Sequence, residues 1–171
     1  MGGKLAMGFA LKHNERVSKL LIVDISPIEY KENQYIKFIR ALSQLEICKF
    51  KSKLEFSNFL REMKMDIGLI NLLLKNTKSV NSTSINWKIN IEGISCNLDK
   101  IMKFNKVNIN FEKPVLFIKG GKSDYILPEH YHVINNYFSN SSIQVVKDSS
   151  HWIHSDQPKE FMQIVLEFIN K

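Results

Sequence analysis

Arginine is nearly missing from this chain. Of 24 basic residues only Arg16, Arg40 and Arg61 are arginines, and they stand far apart. Surfaces that read bases or clamp phosphates use clustered Arg forks interleaved with aromatics. The formal charge of +7 therefore reads as scattered surface lysine, and no nucleic-acid partner is expected. Cysteine is equally scarce. Cys48 and Cys96 cannot frame a disulfide-rich domain, and with no His at ligand spacing they make no metal site, so they read as reduced thiols. The few glycines form no phosphate loop, because Gly2-Gly3 and Gly120-Gly121 lack P-loop or dinucleotide spacing. Long apolar runs are absent too. The longest, Ile67 to Leu74, is broken by Asn71 and falls far below the ~20 residues of a helical membrane span, so none is expected. The run Leu5 to Leu11 is followed by Lys12-His13-Asn14 where a signal cleavage site needs small residues. Ala6 occupies the position where a myristoylation motif needs Ser or Thr. Neither targeting signal is read.

What is present suits one folded domain. The 171 residues are 44% hydrophobic and 11% aromatic, enough for a core and too many for a disordered chain. Residues 3–14 read as a helix whose Leu5, Met7, Ala10 and Leu11 pack on a sheet. Val17 to Ile25 is a continuous apolar strand stopped by Ser26-Pro27, the pattern of a parallel strand buried on both faces. Residues 32–76 read as helical throughout, with Tyr35, Ile36, Phe38, Ile39, Leu42 and Leu45 keeping the 3.6 period. Ser52 with Glu55 reads as a capping box, and Asp66 as the cap of a third segment. Thr77 to Ser84 reads as a polar loop, followed by a short piece at 85–89 and a helix near 92–104. Pro114 to Ile118 then forms a buried strand ending at Gly120-Gly121. Pro128 opens a helix through Phe138, Ser142 to Val146 is the next strand, and Pro158 to Asn170 is a closing amphipathic helix.

Alternating βα units imply a parallel sheet with right-handed crossovers. The expected fold class is α/β: a core of residues 1–31 and 105–171, with 32–104 a helical cap inserted over the C-terminal edge of the sheet. Only three strands are read, which leaves a long apolar edge unpaired. Such a sheet is incomplete.

Four motifs occur in order: Met1-Gly2-Gly3-Lys4 at a helix start, V-D-I-S-P at 23–27, L-F-I-K-G-G-K-S at 116–123 and S-H-W-I-H at 150–154. Together they resemble the α/β-hydrolase superfamily, specifically its small acyl-esterase branch of bacterial short-chain esterases and mitochondrial abhydrolase relatives. The nucleophile elbow of that branch reads G-H-S-M-G-G-K. The resemblance implies that the nucleophilic Ser stands immediately before the residue matching Met1. This chain would then be the C-terminal part of a hydrolase, with the N-terminal strands missing. It also implies that the backbone N–H of Met1 is one oxyanion donor.

His151 matches the general base, on a loop between strand and last helix from which a ring can reach nucleophile and acid. Ser150 stands where the branch usually has Gly, which implies a stiffer turn. Three carboxylates compete to orient His151. Asp24 ends the strand after the elbow helix, and neighbouring parallel strands lie only ~4.8 Å apart, so edge geometry puts it first. Asp124 is the alternative acid, just past Gly120-Gly121 where the wider superfamily usually carries it; the branch often has Ser at the position of Ser123. Asp99 reads as a helix-surface charge. His13, His130, His132 and His154 read as solvated or surface residues, and Ser26, Ser123, Ser149 and Ser150 as turn residues, since none stands on a glycine-flanked elbow. Phe38, Leu42, Phe59 and Leu72 are candidates for an acyl pocket.

The resemblance implies a serine hydrolase of carboxylic esters or thioesters, acting on a small acyl ester without metal or organic cofactor. Its partner would be the N-terminal half of the same fold. Alone, the chain is expected to be inactive. The alternative is a non-catalytic remnant or binding protein. The compartment, cytoplasmic or mitochondrial, is left open.

Overall fold

The computed structural model describes residues 1–31, 34–105 and 107–170. The chain divides into two compact units, Met1–Tyr30 with Ile101–Lys171, and Lys31–Lys100. In the first unit, helix α1 (Gly2–Lys12) buries Met7, Ala10 and Leu11, residues at helical spacing on one face. Leu5 falls off that stripe and is exposed, contrary to the sequence reading, because it lies two positions from Met7 and so on another face. Strand β1 (Leu20–Val23) is shorter than the Val17 to Ile25 run. The Val17 carbonyl is taken by the Lys113 ammonium at 2.7 Å and is lost to the ladder. At the other end Asp24 turns the backbone into the left-handed region, with φ 47°.

The second unit contains helices α2 (Gln34–Gln44), α3 (Lys53–Glu62) and α4 (Ile67–Lys75). The expected helix start at 32 and 33, and the Tyr35 side chain, lie outside the described residues. Ser52 caps α3 by accepting from Glu55 N–H, while the Glu55 carboxylate accepts from Lys51 N–H at 2.7 Å. Asp66 caps α4, accepting from Gly68 and Leu69 N–H. The expected polar loop at 77–84 is instead a hairpin, β2 (Thr77–Asn81) against β3 (Ser84–Trp87). Asn81 Oδ1 closes its turn by accepting from Thr83 N–H and from the Thr83 and Ser84 hydroxyls. Ile85 anchors it from β3, fully buried among Leu42, Ile47, Phe56, Leu60, Ile70 and Leu73. Short helices α5 (Ile91–Cys96) and α6 (Leu98–Met102) follow.

The first unit, which resumes at Ile101 within α6, continues with β4 (Val115–Gly120), α7 (Tyr131–Tyr137), β5 (Ser141–Val146), α8 (Ile153–Asp156) and α9 (Pro158–Asn170). Among the described residues the main sheet is parallel, in the order β1-β4-β5, with β4 buried along its length. Leu20, Ile22, Val115 and Phe117 face α1 and α7. Leu116, Ile118 and Val146 face Phe161, Ile164, Val165 and Phe168 of α9. The result is helix, sheet, helix in three layers. Each fully buried Phe or Leu contributes roughly 1.5–3 kcal/mol by leaving water. Among the described residues β1 has a strand neighbour on one side only.

Candidate active site

The C-terminal ends of the three parallel strands open onto loops, where open α/β sheets bind their ligands. Asp24 stands at the end of β1 and is fully buried. A buried carboxylate must be hydrogen-bonded. Its Oδ1 accepts from Gly120 N–H at 3.0 Å, and its Oδ2 accepts from the Ser123 hydroxyl. The same Oδ2 lies 2.8 Å from His151 Nδ1. Because the carboxylate accepts, Nδ1 carries the proton, and in the neutral ring Nε2 then holds the lone pair. Among the described residues Nε2 has no protein partner.

His151 reaches this position because two glycines let its loop approach β4. A Cβ on Gly120 would stand 2.2 Å from Ser150 O, and one on Gly121 2.1 Å from Lys147 O. Lys122 N–H donates to Ser149 O at 2.9 Å and Gly121 N–H to Val146 O at 2.8 Å, which ties the loop to the strand end. Ser150 is fixed from its other side. Its N–H and hydroxyl both donate to Asp156 Oδ2, at 2.7 and 2.6 Å, and these bonds hold the Asp156 carboxyl below its ordinary range.

The other acid candidates stand elsewhere. Asp124 is exposed and, among the described residues, makes no hydrogen bond or ion pair. Asp99 lies in the second unit, paired with Arg40 at 3.3 Å. Met1 is the exposed N-cap of α1, its carbonyl accepting from Leu5 N–H. His13, His132 and His154 are exposed, the last edge-on to Trp152 and Phe161. His130 corrects the solvated reading: it is half-buried, its Nδ1 accepts from Leu127 N–H at 3.1 Å, and burial pushes its pKa down. Phe38, Leu42 and Phe59 pack into the second unit's own core, and Leu72 is half-buried.

All four turn serines are engaged. Ser26 donates to Tyr125 O at 3.0 Å and Ser149 to Val146 O at 2.8 Å, while Ser150 bonds Asp156. The sequence reading makes Ser123 only a turn residue, yet it holds the buried acid; the signal for it is its place two residues after the Gly-Gly turn. Nothing in the sequence reading singles out Tyr125. Its ring lies 4.3 Å from that of His151, tilted by 32°. Among the described residues no cluster of His, Cys, Asp and Glu is placed to hold a metal ion. No helix among them is long and apolar enough to cross a membrane.

A parallel sheet between helix layers, with a buried Asp after one strand bonded to a His on the loop after another, defines an α/β-hydrolase fold. Comparisons with known proteins support the α/β-hydrolase superfamily. No protein-family model matches it. It is similar to the sn-1-specific diacylglycerol lipase ABHD11 of Mus musculus, with 34% identity over 99% of this chain and 56% of that protein. It is also similar to the esterase YbfF of Escherichia coli strain K12, with 22% identity over 99% of this chain and 65% of the other. A solved marine microorganism esterase superposes with a TM-score of 0.90 at 33% identity, covering 97% of this chain and 66% of that one. The chain thus spans little more than half the length of the mouse relative.

Proposed function

We propose that this chain carries the acid and base of a serine hydrolase acting on carboxylic esters or thioesters. The observation that supports this reading best is the 2.8 Å contact between His151 Nδ1 and the buried Asp24. In the proposed reaction a Ser joined directly ahead of Met1, as in the G-H-S-M-G-G-K elbow, attacks the ester carbonyl. His151 Nε2 takes the Ser proton, and Asp24 holds the resulting imidazolium in place. The Met1 N–H, an ordinary amide in that setting, donates to the tetrahedral oxyanion. The imidazolium then protonates the leaving alcohol or thiol. Water, deprotonated by the same nitrogen, releases the acyl group and restores Ser.

The relatives' names, a diacylglycerol lipase and an esterase, support an acyl-ester substrate. The test joins a Gly-His-Ser-bearing N-terminal half to this chain and follows p-nitrophenyl butyrate hydrolysis. Asp24→Asn should lower the rate by about 10⁴-fold, the cost of losing the correct tautomer, and Asp124→Asn should change it little. The 171 residues alone should stay at background. Turnover by them that vanishes in His151→Ala would place the nucleophile within this chain and overturn the assignment.

A further inference from the structure

His151 is anchored to Asp24 at a single atom, and its side chain remains 44% exposed. One hydrogen bond fixes one point of a planar ring. The ring can still tilt about that bond, and its loop can swing. A second constraint is needed for Nε2 to face a fixed direction, and Tyr125 supplies a surface for it. The two ring centroids are 4.3 Å apart with planes 32° from parallel. Trp152, by contrast, stands 5.9 Å away and steeply inclined, at 70°.

Tyr125 is itself held at both ends of its peptide unit. Its carbonyl accepts from the Ser26 hydroxyl at 3.0 Å and from the Tyr30 hydroxyl at 2.5 Å. The Tyr30 oxygen in turn accepts from Ser26 N–H at 2.8 Å. At the other end Tyr125 N–H donates to Ser123 Oγ at 3.3 Å, and Ser123 bonds Asp24. Ser26 is also fully buried, 3.3 Å from His130 Nδ1, and the Tyr30 ring stands edge-on to both Tyr125 and His130. Residues 123–125 therefore bridge the acid to the wall beside the base. The bridge is bonded to the segment that follows Asp24 in sequence.

We propose that Tyr125 is a positioning residue that fixes the plane of the His151 imidazole, and that the Ser26–Tyr30 clamp on its carbonyl sets where that plane stands. The inference rests on the acid–base reading of Asp24 and His151. An aromatic face tolerates both the neutral ring and the imidazolium, with attraction for the cation, so it restrains tilt through the whole proton cycle. The contact with His151 is made by the ring. Phe keeps that aromatic face, and an aliphatic side chain does not.

The experiment is proton and nitrogen-15 NMR of His151 in the 171-residue chain, following the Nδ1–H signal and its exchange with water. The native chain and Tyr125→Phe should show a protected Nδ1–H that is lost in Asp24→Asn. Tyr125→Leu should speed its exchange at least about tenfold, with the amides of Phe117 and Ile118 in β4 unchanged. Ser26→Ala, which removes one of the two donors to the Tyr125 carbonyl and keeps the aromatic ring itself, should speed it by a smaller factor. Native-like exchange in Tyr125→Leu overturns the positioning role and leaves the acid–base reading standing. Should Tyr125→Leu fail to fold, native-like exchange in Ser26→Ala overturns it instead. A native chain with no Asp24-dependent Nδ1–H overturns both.

Discussion

Ser123 donates its hydroxyl to Oδ2 of Asp24, the oxygen that His151 Nδ1 also meets at 2.8 Å. The acid therefore has its donors in place before any substrate arrives: Gly120 N–H on one oxygen, Ser123 and His151 on the other. A carboxylate with this many fixed donors cannot turn away from the base.

Removing the Ser123 hydroxyl leaves a buried carboxylate one donor short. Ser123→Ala should lower stability by about 1–3 kcal/mol, the usual cost of a lost hydrogen bond to a buried charged group. Thermal or urea unfolding measures it. A melt unchanged from native would mean that the hydroxyl adds nothing to holding Asp24.

Glycine matters differently at two positions of this chain. Gly120→Ala drives a Cβ to within 2.2 Å of Ser150 O, a backbone atom that cannot step aside without moving the His151 loop. A loss of more than about 2 kcal/mol is expected. Gly8, inside α1, has nothing within 4 Å of its ideal Cβ. Gly8→Ala should stabilise by roughly 0.5–1 kcal/mol through helix propensity. Opposite signs in paired urea titrations are the expected outcome.

The carboxyl of Asp156 is held below its ordinary range by the hydroxyl and N–H of Ser150. A carboxylate whose folded pKa is depressed stabilises above its unfolded value and loses that effect as pH falls through the folded one. Protection of the Ser150 amide from hydrogen exchange should therefore be full near neutral pH and decline in acid below about pH 4. In Asp156→Ala it should be low throughout. Equal protection in the two proteins at neutral pH would show that the loop is held by other contacts.

Lys4 is almost fully buried, its ammonium donating to Ile28 O at 2.7 Å and to Met102 O, with the Tyr30 ring 4.7 Å away. Burial pulls its pKa down to about 8, against a smaller upward pull from Glu29. With the folded value below the unfolded one, the unfolded chain binds more protons between about pH 8 and 10.5, so the Lys4 contribution to stability rises with pH across that window. Melting temperatures at pH 7.5 and 9.5, compared with those of Lys4→Met, measure this. The native-minus-variant difference should grow at the higher pH.

The sequence alone determined what depends on neighbours along the chain. The apolar run at Leu20–Val23, the cap at Asp66, the glycine pair at 120–121 and the period of Pro158–Asn170 each act within a few residues. Local pattern suffices there because the backbone bonds they secure are themselves local or set by periodicity. The hairpin at 77–87 escaped because β2 is exposed beyond Thr77 and shows no alternation; Ile85, buried in the second unit's core, and the Asn81 side chain hold it. Only the tertiary structure decided which carboxylate meets His151. Asp24 and Asp124 both follow a strand of one sheet, and sequence spacing could rank them but not join either to the base. The choice fell to the left-handed turn at Asp24, which leaves its carboxylate buried against Gly120 N–H, and to the close approach of the His151 loop that Gly120 permits. Ser123 and Tyr125 gained their places the same way. Their contacts span 99 residues to Asp24 and a shared wall with His151, and such contacts exist only once the sheet has brought three loop ends together.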